Sequence, residues 1–144
     1  VVDTEGTVNN MIRAILNATD YIFAPTKFSF IDTNGLRDLL KMVEIGKRNN
    51  PKISLEKIFC VQAKGNTKVF KKTHDELKRA FKELCGSCYS EIYIREDANI
   101  LNSMEKNSDI FSYKKSSNAA IDYKNLVDEF LEGRENEEEI EKEN

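Results

Sequence analysis

Long apolar runs are missing from this sequence. None of its 144 residues belongs to a stretch approaching the length needed to cross a bilayer. The N-terminal end also lacks the charged, apolar and small-residue order of a secretory signal. Both absences point to the cytoplasm. Cysteine and histidine are scarce as well, with Cys60, Cys85, Cys88 and the single His74. An odd cysteine count without a secretory signal argues against a disulfide framework. A zinc site on "CGSC" (85–88) would need two further ligands, and the one histidine lies far back along the preceding run. In thioredoxin-like enzymes a CxxC pair opens a helix, whose N-terminal pole stabilises the thiolate. Here the pair follows the helical run "KTHDELKRAFKEL" and sits at the opposite pole, so its cysteines read as loop residues.

A charge field of one sign is also missing. The net charge is −3, and the segment "RENEEEIEKEN" (134–144) alone carries −4, so the remaining residues carry +1. No whole-domain basic field announces nucleic acid. The Glu-rich end is expected to be solvated and frayed, outside a folded unit spanning 1–132, with 133–144 as an acidic tail. One apolar residue, Ile140, stands in it, so an anionic membrane would repel it.

Short apolar runs alternating with amphipathic helices make up the rest. "TVNNMIRAILNAT" (7–19) places Val8, Met11, Ile12 and Ile15 on one helical face. "YIFAP" (21–25) is a continuous apolar run cut by Pro25, which suits a strand buried on both faces. A helix capped at Asp32 or Thr33 follows, with Leu36, Leu39, Leu40 and Val43 repeating until Asn49-Asn50-Pro51. "KIFCVQA" (57–63) is a second buried run. Phe70, Leu77, Phe81 and Leu84 then mark a helix stripe, and "EIYIRED" (91–97) reads as a strand nearer an edge. A terminal helix over 116–133 turns Ala120, Tyr123, Val127 and Phe130 inward and stops at Gly133. This order predicts an α/β fold: a partial doubly wound, mostly parallel sheet with flanking helices and right-handed crossovers. Val1-Val2 is expected as the tail of a central strand that begins upstream.

In such sheets ligands bind at the carboxyl ends of the strands. Three polar clusters fall there: Asp3-Thr4-Glu5-Gly6, "QAKGN" (62–66) and Arg95-Glu96-Asp97. An apolar strand ending in Asp before a Gly-containing turn is the arrangement that holds a carboxylate beside magnesium while the turn senses a terminal phosphate.

Across residues 1 to about 131 the sequence resembles the C-terminal half of the ParA/MinD group of deviant Walker A ATPases. "VVDTEG" is similar to that group's Walker B strand. "AILNATDYIFAPTKFSFIDTNGLRDLL" matches its central stretch through Ala14, Ala18, Asp20, Pro25 and Gly35. "IREDANILNS" and "YKKSSNAAIDYKNLVDEFL" parallel its adenine loop and its ending. The resemblance implies a P-loop NTPase-like fold with its N-terminal half missing. It implies Asp3 as the ligand of magnesium, and Thr4, Glu5 and Gly6 as the start of the switch. Asn66, Glu96 and Asp97 would meet the adenine of ATP, whereas Asp20 and Gly35 read as structural. The parent would be an ATP hydrolase and a DNA partition protein, dimerising around ATP and Mg2+ with a centromere-binding, ParB-like partner.

Three departures qualify this expectation. The phosphate-binding loop is absent from the chain, so the isolated piece is expected to be inactive and to hold no cofactor. The proline after the switch aspartate is replaced, with Glu5-Gly6 in that region. Arg95 stands where the group has proline. Nonspecific DNA contact, also implied by the group, would fall on Lys68, Lys71, Lys72, Lys78, Arg79 and Lys82, with Lys114 and Lys115. The alternative is a non-catalytic protein-interaction domain on the same α/β scaffold.

Overall fold

Periodicity in the chain resolves into six helices and two strands among the described residues. The structure, a computed structural model, describes residues 1–4, 10–27, 33–64 and 67–143, with backbone alone at 33–36, 84 and 135–143. The order is α1 (Asn10–Asn17), β1 (Tyr21–Lys27), α2 (Thr33–Asn49), β2 (Ser54–Val61), α3 (Lys68–Cys85), α4 (Ala98–Glu105), α5 (Ile110–Lys114) and α6 (Asn118–Glu143).

β1 and β2 pair in parallel from Tyr21 opposite Ser54 to Lys27 opposite Val61, with a register shift between Ile22 and Phe23. Beyond β2 the 89–95 segment runs parallel as well, bridged at Ile58–Tyr89 and Ala63–Arg95. Its backbone bonds are Ile58 N–H to Cys88 O (2.6 Å), Ser90 N–H to Ile58 O (2.9 Å) and Ile94 N–H to Cys60 O (2.8 Å). The "EIYIRED" run therefore lies beside β2 but is joined to it by isolated bridges and does not form the expected strand, so the sheet has two strands among the described residues.

β2 is the centre. Its even positions Ile58 and Cys60 are fully buried with Leu77 and Phe81 of α3, while Phe59 packs with Ile94 and Leu126 of α6. Period-two alternation thus sends neighbouring side chains to opposite layers, and helices cover both faces of the sheet. On α3 three of the four expected stripe residues, Phe70, Leu77 and Phe81, are buried, with His74 between them on the same face; the Leu84 side chain lies outside the described residues. Thr67 caps it by accepting from Phe70 N–H at 3.2 Å, and Gly86 closes it at φ +67°, a conformation that favours glycine.

Several expectations need correction. β1 alternates exposed with half-buried positions and is not buried on both faces. From α6, Phe130 reaches over Tyr21 and Phe23 at centroid separations of 5.8 and 5.1 Å, and the Arg134 guanidinium lies 5.0 Å from the Tyr21 ring centroid. Pro25 suits such a strand, since it has no N–H for another ladder. Met11 and Val127 point outward, the inward positions being Ile12 and Leu126. One residue of error on a helix rotates a side chain by about 100°. α6 runs through Gly133 to Glu143, so the acidic segment expected to fray is helical in its backbone. Glutamate is a good helix former, and Gly inside a helix costs only about 1 kcal/mol against Ala. Finally, Cys85 and Cys88 are joined as a disulfide. Val1 and Val2 are exposed and carry no strand assignment; Val8, Asp32 and the loop residues 65 and 66 lie outside the described residues.

Candidate functional site

The carboxyl end of β2 gives the polar residues their positions. Gln62 leaves the strand at φ 53°, a left-handed turn unusual for a residue with a Cβ. Ala63 then receives Glu96 N–H on its carbonyl at 3.1 Å and donates its own N–H to Ile94 O at 3.0 Å, which brings 62–64 beside 94–97. Lys64 and Glu96 form an exposed ion pair at 3.8 Å.

Arg95 and Asp97 turn the other way, toward α6. Both the backbone N–H and Nε of Arg95 donate to Asp122 Oδ2, at 2.9 and 2.8 Å, and Nη2 donates to Oδ1 at 2.7 Å. Asp122 is buried, so this planar fork satisfies a carboxylate with no other route to water. The pairing also pushes the Arg95 guanidinium further up from its ordinary value, chiefly through the hydrogen bond to Asp122. Asp97 caps two helices. Oδ1 accepts Asn99 N–H in α4 at 2.9 Å, and Oδ2 accepts Ala119 N–H in α6 at 3.1 Å. The Asn99 backbone bond leads the causes holding its carboxyl below the usual carboxylate range. Ser117 completes the α6 start by accepting Ala120 N–H at 3.2 Å.

A second polar cluster lies further along α6. Ser90 Oγ, fully buried, donates to Glu129 Oε2 at 2.5 Å and accepts Ile92 N–H at 2.9 Å. Lys57 Nζ stands 3.6 Å from Glu129 Oε1. Asp122 and Glu129 are seven residues apart on the inner side of α6. Two acids in an otherwise apolar stripe are the signal in the sequence that could have revealed both clusters, because buried carboxylates require partners.

The expected adenine contacts divide accordingly. Glu96 is exposed, Asp97 has both oxygens engaged in capping, and Asn66 lies outside the described residues. Asp3 and Thr4 are exposed, and neither makes a hydrogen bond or ion pair to the 62–64 or 95–97 loops among the described residues; Glu5 and Gly6 are not described. A lone carboxylate such as Asp3 fits magnesium only as one ligand among waters and phosphates, since the ion prefers six oxygens. Among the described residues no three His, Cys, Asp or Glu side chains converge to hold a metal.

The basic residues of α3 do converge. Lys68, Lys71, Lys72, Lys78, Arg79 and Lys82 are all exposed, opposite the buried stripe, within an arc of roughly 120° at 3.6 residues per turn. Lys72 pairs with Glu76 at 3.9 Å and Lys78 with Glu91. Lys68, Lys71, Arg79 and Lys82 carry no ion pair among the described residues, and Asp75 is the acid on the same arc. Lys114 and Lys115 are exposed at the end of α5, where Lys114 adds positive charge near Asp97.

Behind this face His74 is buried among the rings of Phe70, Tyr89 and Tyr93, at centroid distances of 5.6, 5.4 and 5.4 Å. Its Nε2 has no hydrogen-bond partner among the described residues. Burial lowers its pKa, against the opposing pull of Asp75 and Glu91. Tyr89 O–H and the Cys60 thiol lie 3.3 Å apart in the same core, and burial raises the pKa of both. No described helix is long and apolar enough to cross a membrane. Compared with protein-family models and with curated proteins, the chain has a match in neither.

Proposed function

We propose that this chain is the C-terminal portion of an ATP-dependent DNA partition protein, a nucleotide-switched dimer that holds DNA without sequence preference beside a ParB-like partner. A doubly wound, P-loop NTPase-like architecture is part of the same proposal. The observation that carries it is the basic arc of α3, with four cations that make no ion pair among the described residues and a buried underside. Such a face positions point charges against phosphates and reads no bases. ATP and Mg2+ belong to the intact parent, where Asp3 would supply one ligand; the piece alone neither binds ATP tightly nor hydrolyses it.

Fluorescence anisotropy with a random-sequence duplex tests the reading directly. Affinity should fall with salt along a log–log slope of roughly −3 to −4, as four neutralised phosphates require. Replacing Lys71, Arg79 and Lys82 by Glu should abolish binding while leaving the fold intact. Binding that is absent in low salt, or indifferent to salt, overturns the DNA role. In the intact parent, Asp3→Ala should remove ATP turnover; unchanged turnover rejects the ATPase assignment.

The non-catalytic interaction domain has one observation in its favour. Tyr21 and Phe23 remain substantially exposed beside Phe130, with Val127 and Leu131 also exposed on α6. Retained ATP turnover by the intact parent would exclude it.

A further inference from the structure

The Cys85–Cys88 bond lies where two elements are joined. Cys85 is the last residue of α3 and half-buried, Gly86 and Ser87 are exposed, and Cys88 is 5% exposed. Cys88 O accepts Ile58 N–H at 2.6 Å, and Ser90 N–H returns to Ile58 O at 2.9 Å. The four-residue ring therefore ties the end of the basic helix to the first rung between β2 and the 89–95 segment. Lys82, in the last turn of α3, belongs to the same helix end.

We propose that Cys85–Cys88 is a thiol–disulfide exchange site for a dithiol reductant, with Cys85 as the sulfur attacked. This inference is independent of the partition reading. A thiolate of the reductant attacks Cys85 Sγ, forming a mixed disulfide and expelling the Cys88 thiolate, which takes up a proton. The reductant's second thiol then displaces the Cys85 thiolate, which is protonated in turn. The protein disulfide gains two electrons and the dithiol becomes a disulfide. Access selects Cys85, because Cys88 is enclosed by the core that holds Tyr89 and Phe81. The helix end sets the balance. A C-terminal pole disfavours thiolates, so the reduced form lacks the stabilisation that makes helix-opening CxxC pairs strong oxidants. With a monothiol, the freed Cys88 attacks the mixed disulfide at Cys85 and re-forms the ring before a second monothiol molecule can displace Cys85, so a monothiol is a poor reductant here.

Labelling the full chain decides the matter. Protein kept in non-reducing buffer, acid-quenched, unfolded and treated with N-ethylmaleimide should take one label, at Cys60, by mass. It should still take one after millimolar glutathione and three after the same concentration of dithiothreitol. The reduced form should melt about 5 °C lower, from loss of the ring. Cys88→Ser exposed to oxidised glutathione should form an adduct at Cys85 at least tenfold faster than Cys85→Ser forms one at Cys88. Three labels that do not fall to one with oxidised dithiothreitol overturn the proposal, as does equal reduction by glutathione. Equal adduct rates in the two variants overturn the assignment of Cys85.

Discussion

The two faces of β2 are fastened by different chemistry. On the α3 side the contacts are apolar and aromatic: Phe81 stacks on Tyr89 at 5.3 Å and 8°, and Phe70 meets Tyr93 edge-on at 4.7 Å. On the α6 side a thin apolar layer of Phe59, Ile94 and Leu126 is flanked by the Arg95–Asp122 fork, the Asp97 double cap and the Lys57–Glu129–Ser90 cluster. Apolar packing is non-directional and tolerates sliding, whereas a buried carboxylate fixes one register because every misalignment leaves it unpartnered. The α3 face thus supplies most of the stability, and the α6 face supplies orientation.

The sharpest way to break the contrast is Phe81→Ala. It empties a ring site on the α3 face and should cost about 3–5 kcal/mol by urea denaturation, with no dependence on ionic strength. Next comes Asp122→Ala, expected to cost about 2–3 kcal/mol by leaving the Arg95 N–H and guanidinium without their acceptor. The Arg95 side chain is 38% exposed, so water recovers part of what is lost and the figure stays below that of a fully enclosed pair. A cost equal to or above that of Phe81→Ala would reverse the assignment of roles between the faces.

Asp97→Ala removes two caps together and should lower stability by about 1–2 kcal/mol, measured the same way. Native-state hydrogen exchange should show faster exchange at both Asn99 and Ala119. Protection lost at only one of them would separate the two helix starts.

The smallest effect is titration on the α3 side. The folded-state pKa of His74 lies below its ordinary 6.5, so the unfolded chain binds the proton first. Stability is complete well above pH 6.5 and declines as pH falls through it, by at most about 1.4 kcal/mol at pH 5.5. The groups bearing on His74 are Asp75, Glu91 and Lys78, with Tyr89 and Tyr93 around the ring. His74→Phe should flatten urea midpoints between pH 7.5 and 5.5; an unchanged slope would assign the titration elsewhere.

The same division explains what could be read from sequence. β2 and α3 were legible because buried runs and helical stripes repeat with fixed periods, and Phe70, Leu77 and Phe81 sit where that repeat puts them. β1 was not, because an apolar run such as "YIFAP" records hydrophobicity and says nothing about what covers it. The shifts at Met11 and Val127 arise where two adjacent apolar residues compete for one inward position. The polar side was nearly invisible: Arg95 stood out only as a missing proline, and its partner lies 27 positions away. Pole geometry placed "CGSC" correctly at a helix end, yet the bond itself depends on the chain bending back toward Ile58. The expected site is legible only in part, with Asp97 committed to capping and Asp3 exposed, without a hydrogen bond or ion pair to the 62–64 or 95–97 loops among the described residues.

That double cap has a mechanical consequence. One carboxylate faces two positive helix poles at once, so α4 and α6 share a single pivot. A ligand that withdrew one Asp97 oxygen would unseat whichever helix that oxygen serves. An event at the rim near Ala98 would then be felt along α6 as far as Glu129, where Ser90 and Lys57 grip the same shaft.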